Sequence, residues 1–290
     1  MDKFCIVTES TADLTPELID RFKITVIPMR FSFGDKEYYN YPDNRELSSE
    51  DFYQKLREGH VSTTTAINMS QFEEAFLPIL ERGEDILYLG FSSGLSSTYG
   101  TAVVVSEQLK EQYPSRKIVV IDTLAASMGE GLLVCLAAIQ KQNGASLTEV
   151  IDWVHAHILK LCHWFTVDDL MYLYRGGRVN ALAAHVGTAF GIKPILHVDN
   201  EGHLIPAAKV RGRKQSIEAL ADKIGELGTD VSEQIIFIGH AEAADAAQTL
   251  AEMINSRFSP KEIQIASIGP VVGSHTGPGL VSVYFMGTSR

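Results

Sequence analysis

The chain has 290 residues, 45% of them hydrophobic and 21% charged, enough apolar material for one large α/β domain or two compact ones. A formal net charge of −11 argues against nucleic acid or an anionic membrane as the main partner, because binding phosphates needs an excess of Lys and Arg. The three cysteines, Cys5, Cys135 and Cys162, are scattered with no Cys-x-x-Cys pair, which gives neither a disulfide framework nor a zinc site and fits core thiols in a reducing cytoplasm.

The start of the chain lacks a basic stretch followed by a long apolar core, so no secretory signal is expected. No apolar run approaches the ~20 residues of a membrane span. Residues 4–8 read as a short strand that ends in the polar cluster Glu9-Ser10-Thr11-Ala12-Asp13, and helical spacing follows over 14–22. Residues 24–28, 85–89 and 117–121 read as further strands. Helical segments lie over 49–58, 71–81 and 98–112, and the apolar run 131–139 belongs to the core. Strands alternating with helices predict a parallel sheet covered on both faces, with ligands beyond the C-terminal ends of its strands.

After about Gly144 the pattern changes. A helix over 147–159 leads to a strand near 163–167. Residues 195–198 and 203–210 flank Asp199-Asn200-Glu201-Gly202, which has hairpin turn chemistry. Helix, strand, helix and strand follow over 217–227, 235–239, 243–256 and 263–268, an α+β layer. The expected fold class is α/β in two domains: an N-terminal parallel-sheet domain, 1–155, and a C-terminal α+β domain, 156–279. The last strand, 280–287, could return to the first domain.

Four segments could carry chemistry. Ser62-Thr63-Thr64-Thr65-Ala66 precedes a helix, and Ser92-Ser93-Gly94-Leu95-Ser96-Ser97-Thr98-Tyr99 follows a strand and opens the next helix. Hydroxyls and free N–H groups at a helix N-terminus suit an anion, although N-capping explains any single one of them. Gly269-Pro270-Val271-Val272-Gly273-Ser274-His275-Thr276-Gly277-Pro278-Gly279 demands a fixed, irregular backbone around a histidine, as site loops do. Arg175-Gly176-Gly177-Arg178 and Lys209-Val210-Arg211-Gly212-Arg213-Lys214 are basic in an acidic chain and suit phosphate or carboxylate, or an ordinary solvated face. Asp122-Thr123 lies at the functional end of its strand or caps a helix. There is no GxSxG elbow, Walker A sequence or HExxH, and the remaining histidines show no metal spacing.

Together these segments resemble the DegV family of bacterial lipid-binding proteins, which includes the acyl-binding subunit of fatty acid kinase. Ser10-Thr11-Ala12-Asp13-Leu14 is similar to the family's opening motif, with Glu9 where Asp is usual. Ser92 to Tyr99 is similar to SSxLSGTY, with Ser97 for Gly, and Gly269 to Gly279 resembles IGPVIGxHTGPG. Thr64-Thr65-Ala66-Ile67-Asn68 departs from the family's TSQPS by losing Gln, Pro and the final Ser.

The resemblance implies a long-chain fatty acid held between the domains without cofactor or metal. Its carboxylate would meet Thr64, Thr65, Ser93, Ser96, Ser97, His275 and Thr276. Arg175, Arg178 and Arg211 would face phosphate or an ATP-dependent kinase subunit that converts the carboxylate to acyl phosphate for phospholipid synthesis. At about 0.8 kcal/mol per methylene, ~14 buried methylenes give on the order of 11 kcal/mol before costs, so the tail supplies affinity and the head orientation. The chain would be a cytoplasmic presenting subunit rather than an enzyme, monomeric, with at most transient membrane contact. The rival is an acyl hydrolase using His275, Ser93 or Ser96, and Asp122. A sensing module without a partner enzyme is the third reading.

Overall fold

A computed structural model describes residues 3–180 and 191–290. The first layer is a parallel sheet of β1 (Phe4–Glu9), β2 (Thr25–Ile27), β6 (Asp85–Gly90) and β7 (Ile118–Asp122), in the order β2-β1-β6-β7. Ile86, Leu87, Tyr88 and Leu89 are buried on both faces, as helix-covered parallel strands require. Helices α1 (Pro16–Phe22), α3 (Met69–Glu81), α4 (Thr98–Gln112) and α5 (Met128–Gln142) surround this sheet, and α2 (Ser49–Arg57) lies between α1 and α3 in the chain. Local chemistry sets their starts. Thr15 accepts the Leu18 N–H ahead of Pro16, and Asn68 forms a capping box with Gln71.

The apolar run 24–28 divides at Pro28, which has no N–H for a ladder. β2 ends at Ile27, and β3 (Met29–Phe33) joins β4 (Lys36–Asn40) and β5 (Ser62–Thr65) in a separate antiparallel sheet. The Ser/Thr segment read as the approach to a helix N-terminus is therefore the strand β5, consistent with the preference of its β-branched threonines for extended backbone.

Through α5 and α6 (Leu147–His157) the chain enters a six-stranded sheet of order β10-β9-β8-β13-β11-β12. Its strands are β8 (Leu161–Thr166), β9 (Ile192–Val198), β10 (Leu204–Arg211), β11 (Ile235–His240), β12 (Glu262–Ser267) and β13 (Val281–Met286). Only β11 and β12 pair in parallel. The last strand lies between β8 and β11 and does not return to the first sheet.

Alternation along β8 and β13 divides the two faces of this sheet. Cys162, Trp164, Val283 and Phe285 pack under α8 (Gly212–Leu227) and α9 (Ala244–Phe258), while Phe165 and Tyr284 join the core shared with the parallel sheet. The short helices α7 (Met171–Arg175) and α10 (Pro270–Thr276) close the space between the layers. The segment expected as irregular is thus mostly helix: Pro270 starts it and Gly277, at φ +70°, ends it.

Candidate functional site: a cavity between the layers

A cavity of about 250 Å³ lies where these elements meet. Met29, Phe91, Leu95, Phe165, Leu173, Val198, Leu204, Val271 and Leu280 supply its apolar wall. None of these nine was assigned from sequence, because they come from strands, loops and helices far apart in the chain.

Polar groups mark one part of the wall. Thr64 is directed inward from β5, and its Oγ1 is 2.9 Å from His275 Nε2 on α10. Thr65, the next residue of the strand, is exposed and outside the lining, as alternation requires. Ser96 and Ser97 reach the wall, and Ser96 Oγ accepts the Thr98 N–H. Ser93 is exposed and outside the lining, its N–H donating to Asp122 Oδ1. Thr276 lines the wall while donating to the Val272 carbonyl.

His275 is largely buried, and burial with the nearby Arg178 guanidinium lowers its pKa to about 4, so the ring is neutral at pH 7. Its Nδ1 has no hydrogen-bond partner among the described residues. Gly176 packs against that nitrogen so closely that a Cβ there would collide with it. Arg178 donates to the Leu95 and Gly176 carbonyls, and burial pulls its pKa down. It is the one permanently charged side chain among the described lining residues.

A second cavity, of about 310 Å³, shares Thr64, Arg178 and His275 with the first. His60, Ser62, Thr63, Arg175 and Ser274 add to its wall. Arg175 stacks over the Tyr172 ring at 4.7 Å and donates to the Met171 carbonyl. Among the described residues neither Arg175 nor Arg178 has an ion-pair partner, although Arg57 and Arg213 both do. Arg211 lies apart from both cavities, exposed at the start of α8.

The wall also carries groups that sequence reasoning missed: Thr11, Ser127, His163 and Tyr284. The first two are backed by carboxyls. Thr11 Oγ1 lies 3.1 Å from Glu130 and 3.4 Å from Glu9, and Ser127 Oγ lies 2.6 Å from Asp13. Thr8 has one hydroxyl proton and two oxygens at 2.8 Å, the Leu89 carbonyl and Glu130 Oε1. Burial, the first cause, holds both Glu130 and Glu9 above the usual carboxylate range. Glu9 accepts from Tyr88 Oη and the Phe91 N–H. The polar cluster after β1 was legible, but not its junction with Glu130, which lies over a hundred residues away.

No hydrogen bond among the described residues joins His275 to Ser93, Ser96 or Asp122; Asp122 accepts from the N–H groups of Ser93 and Leu124. The hydrolase triad is not assembled. No three His, Cys, Asp or Glu side chains converge as a metal site among the described residues. The arrangement suits a molecule with an apolar body and a single anionic end.

The fold and cavity thus define an α/β protein with a pocket for an amphipathic molecule between a parallel and a mixed sheet. The chain belongs to the DegV family: residues 3–288 match the family described as "Uncharacterised protein, DegV family". It is 42% identical over 290 residues to a DegV domain-containing protein of Clostridium perfringens, covering 100% of this chain and 99% of that one. Its structure is similar to a DegV lipid-binding protein of Thermotoga maritima, with TM-score 0.87, 30% identity and 99% of each chain covered. It is likewise similar to a DegV family protein of Thermus thermophilus described by its fatty acid binding, with TM-score 0.89, 28% identity and coverage of 98% and 99%.

Proposed function

We propose that this chain binds a long-chain fatty acid in the interlayer cavity and presents its carboxylate to a separate ATP-dependent kinase subunit, which converts it to acyl phosphate for phospholipid synthesis. The observation that carries this reading is the apolar cavity bounded by Thr64, His275 and Arg178, with a second cavity that carries Arg175 beyond the same three residues. The fatty-acid-binding relatives support the choice of ligand.

The carboxylate would take hydrogen bonds from Thr64, Ser96 and Ser97, with His275 holding the Thr64 hydroxyl, Thr276 beside them and Arg178 as the nearby positive charge. A charge-assisted bond contributes about 1.5–3 kcal/mol, against on the order of 11 kcal/mol for an acyl tail, so head contacts can be remade without losing the lipid. Arg175 and Arg178 in the second cavity would meet the transferred phosphoryl group. Arg211, on the exposed surface, is assigned to the kinase partner. Thr65 and Ser93 remain neighbours of the site on this account and do not touch the carboxylate.

We further infer a monomeric, cytoplasmic protein that touches membranes only transiently. The net charge of −11 favours brief contact, and no helix among the described residues is long and apolar enough to cross a membrane.

The test loads the protein with palmitate and adds ATP and a bacterial fatty acid kinase subunit, trapping acyl phosphate with hydroxylamine. Hydroxamate that depends on both proteins supports the presenting role. Bound palmitate without hydroxamate leaves the sensing module, and turnover of acyl esters by the chain alone moves the hydrolase first.

A further inference from the structure

Asp13 occupies a position that the fatty-acid site does not explain. It follows the single turn Ser10–Ala12 at φ +48°, a left-handed conformation that Asp and Asn tolerate better than most residues. Its Oδ1 accepts the Gly269 N–H at 2.8 Å, and its Oδ2 lies 2.6 Å from Ser127 Oγ. Gly269 is the N-cap residue of the helix that carries His275, and Ser127 is on the cavity wall. One side chain therefore joins the acyl cavity to the element that places the imidazole. Asn40 adds a second tie by accepting the Val271 N–H at 3.3 Å. A Cβ on Gly269 would stand 2.7 Å from Asp13 Oδ1 and 2.8 Å from Asn40 Oδ1, so the junction tolerates only glycine.

The groups facing Asp13 are Ser127 and Glu130 from α5 and its approach, Tyr284 from β13, Tyr53 from α2, Asn40 from β4 and Gly269, with Glu17 from α1 and Tyr41 lining a cleft that Asp13 also reaches. None is a cation. Burial without a counter-charge raises the carboxyl to about 7, against the lowering effect of Ser127 and Gly269. An acyl chain in the cavity would exclude water beside Ser127 and favour the neutral acid further.

We propose that Asp13 is a proton-dependent positioning residue that ties the cavity wall to the helix bearing His275, and that the lipid is held most firmly when Asp13 carries its proton. This rests on the fatty-acid reading above. Linkage then fixes the sign: affinity falls as pH rises through the free protein's transition, by at most about tenfold per pH unit for one proton. Asp13→Asn reproduces the neutral acid, with an oxygen to accept from Gly269 and an N–H to donate to Ser127. The ligand's own carboxyl titrates in both proteins and cancels in the comparison.

The experiment measures the palmitate Kd of the wild type and of Asp13→Asn from pH 6 to 8.5, with Asp13→Ala as the variant that cuts both ties. The ratio of wild-type to Asp13→Asn Kd should rise about tenfold over this range, and Asp13→Ala should bind more weakly throughout. Should Asp13→Ala fail to fold, the isosteric variant decides. A constant ratio with tight binding by both proteins overturns the role of Asp13 alone. Absence of palmitate binding by the wild type at every pH overturns the fatty-acid reading with it.

Discussion

Thr64→Val removes the hydroxyl 2.9 Å from His275 Nε2 while keeping the shape and the extended-strand preference of the side chain. Two effects follow. The carboxylate loses one donor, about 1.5–3 kcal/mol if that bond is charge-assisted, which corresponds to a ten- to hundredfold loss of correctly placed head group. Among the described residues His275 also loses its one side-chain hydrogen bond, since Nδ1 has no partner there. The apolar lining residues Leu173, Val271 and Leu280 are untouched. Lipid recovered by extraction should therefore stay near wild-type levels when the fatty acid is in excess. The rate of kinase-dependent acyl phosphate formation should fall at least about tenfold. His275→Ala should behave in the same way. Acyl phosphate production unchanged in both variants would refute the assignment of the head-group end.

Three further outcomes follow from the packing. Leu204→Trp, at a half-buried wall position on β10, should narrow the cavity and shift retained lipids to shorter chains, read by mass spectrometry of extracts; an unchanged chain-length profile would place the tail elsewhere. Gly269→Ala should destabilise the fold by about 1–3 kcal/mol, seen as a lowered Tm, because the added methyl overlaps Asp13 and Asn40. Asp13 also makes stability depend on pH. Its carboxyl is neutral in the fold up to about 7 but ionises near 3.8 when unfolded, so its contribution is fully present below 3.8 and lost as pH rises to 7. That difference is on the order of 4 kcal/mol, and urea unfolding at pH 4 and pH 7 should show Asp13→Asn gaining on the wild type by a large part of it.

Chain-local signals were legible. The βα alternation of the first half, the Asp199–Gly202 hairpin and the helix Thr98–Gln112 follow from periodicity and turn residues. Residue type marks the segments of Thr64 and His275 separately, the family resemblance draws the two to one site, and their hydrogen bond joins positions 211 residues apart. The strand β5 was hidden because a Ser/Thr run serves equally as a cap or as a strand, and only pairing with β3 decides. That pairing separates Thr64 from Thr65, which composition alone could not do. The central place of β13 was hidden because a lone apolar strand carries no label for its sheet. The cavity lining and the Glu9–Glu130 contact depend on which distant elements meet, so no window of sequence contains them.

The most direct test of the central claim is to denature the purified protein, extract it and identify the released small molecules by mass spectrometry, repeating this after incubation with palmitate. One long-chain fatty acid per chain is the expected result. Release of only water-soluble metabolites, or of nothing even after incubation, would contradict it.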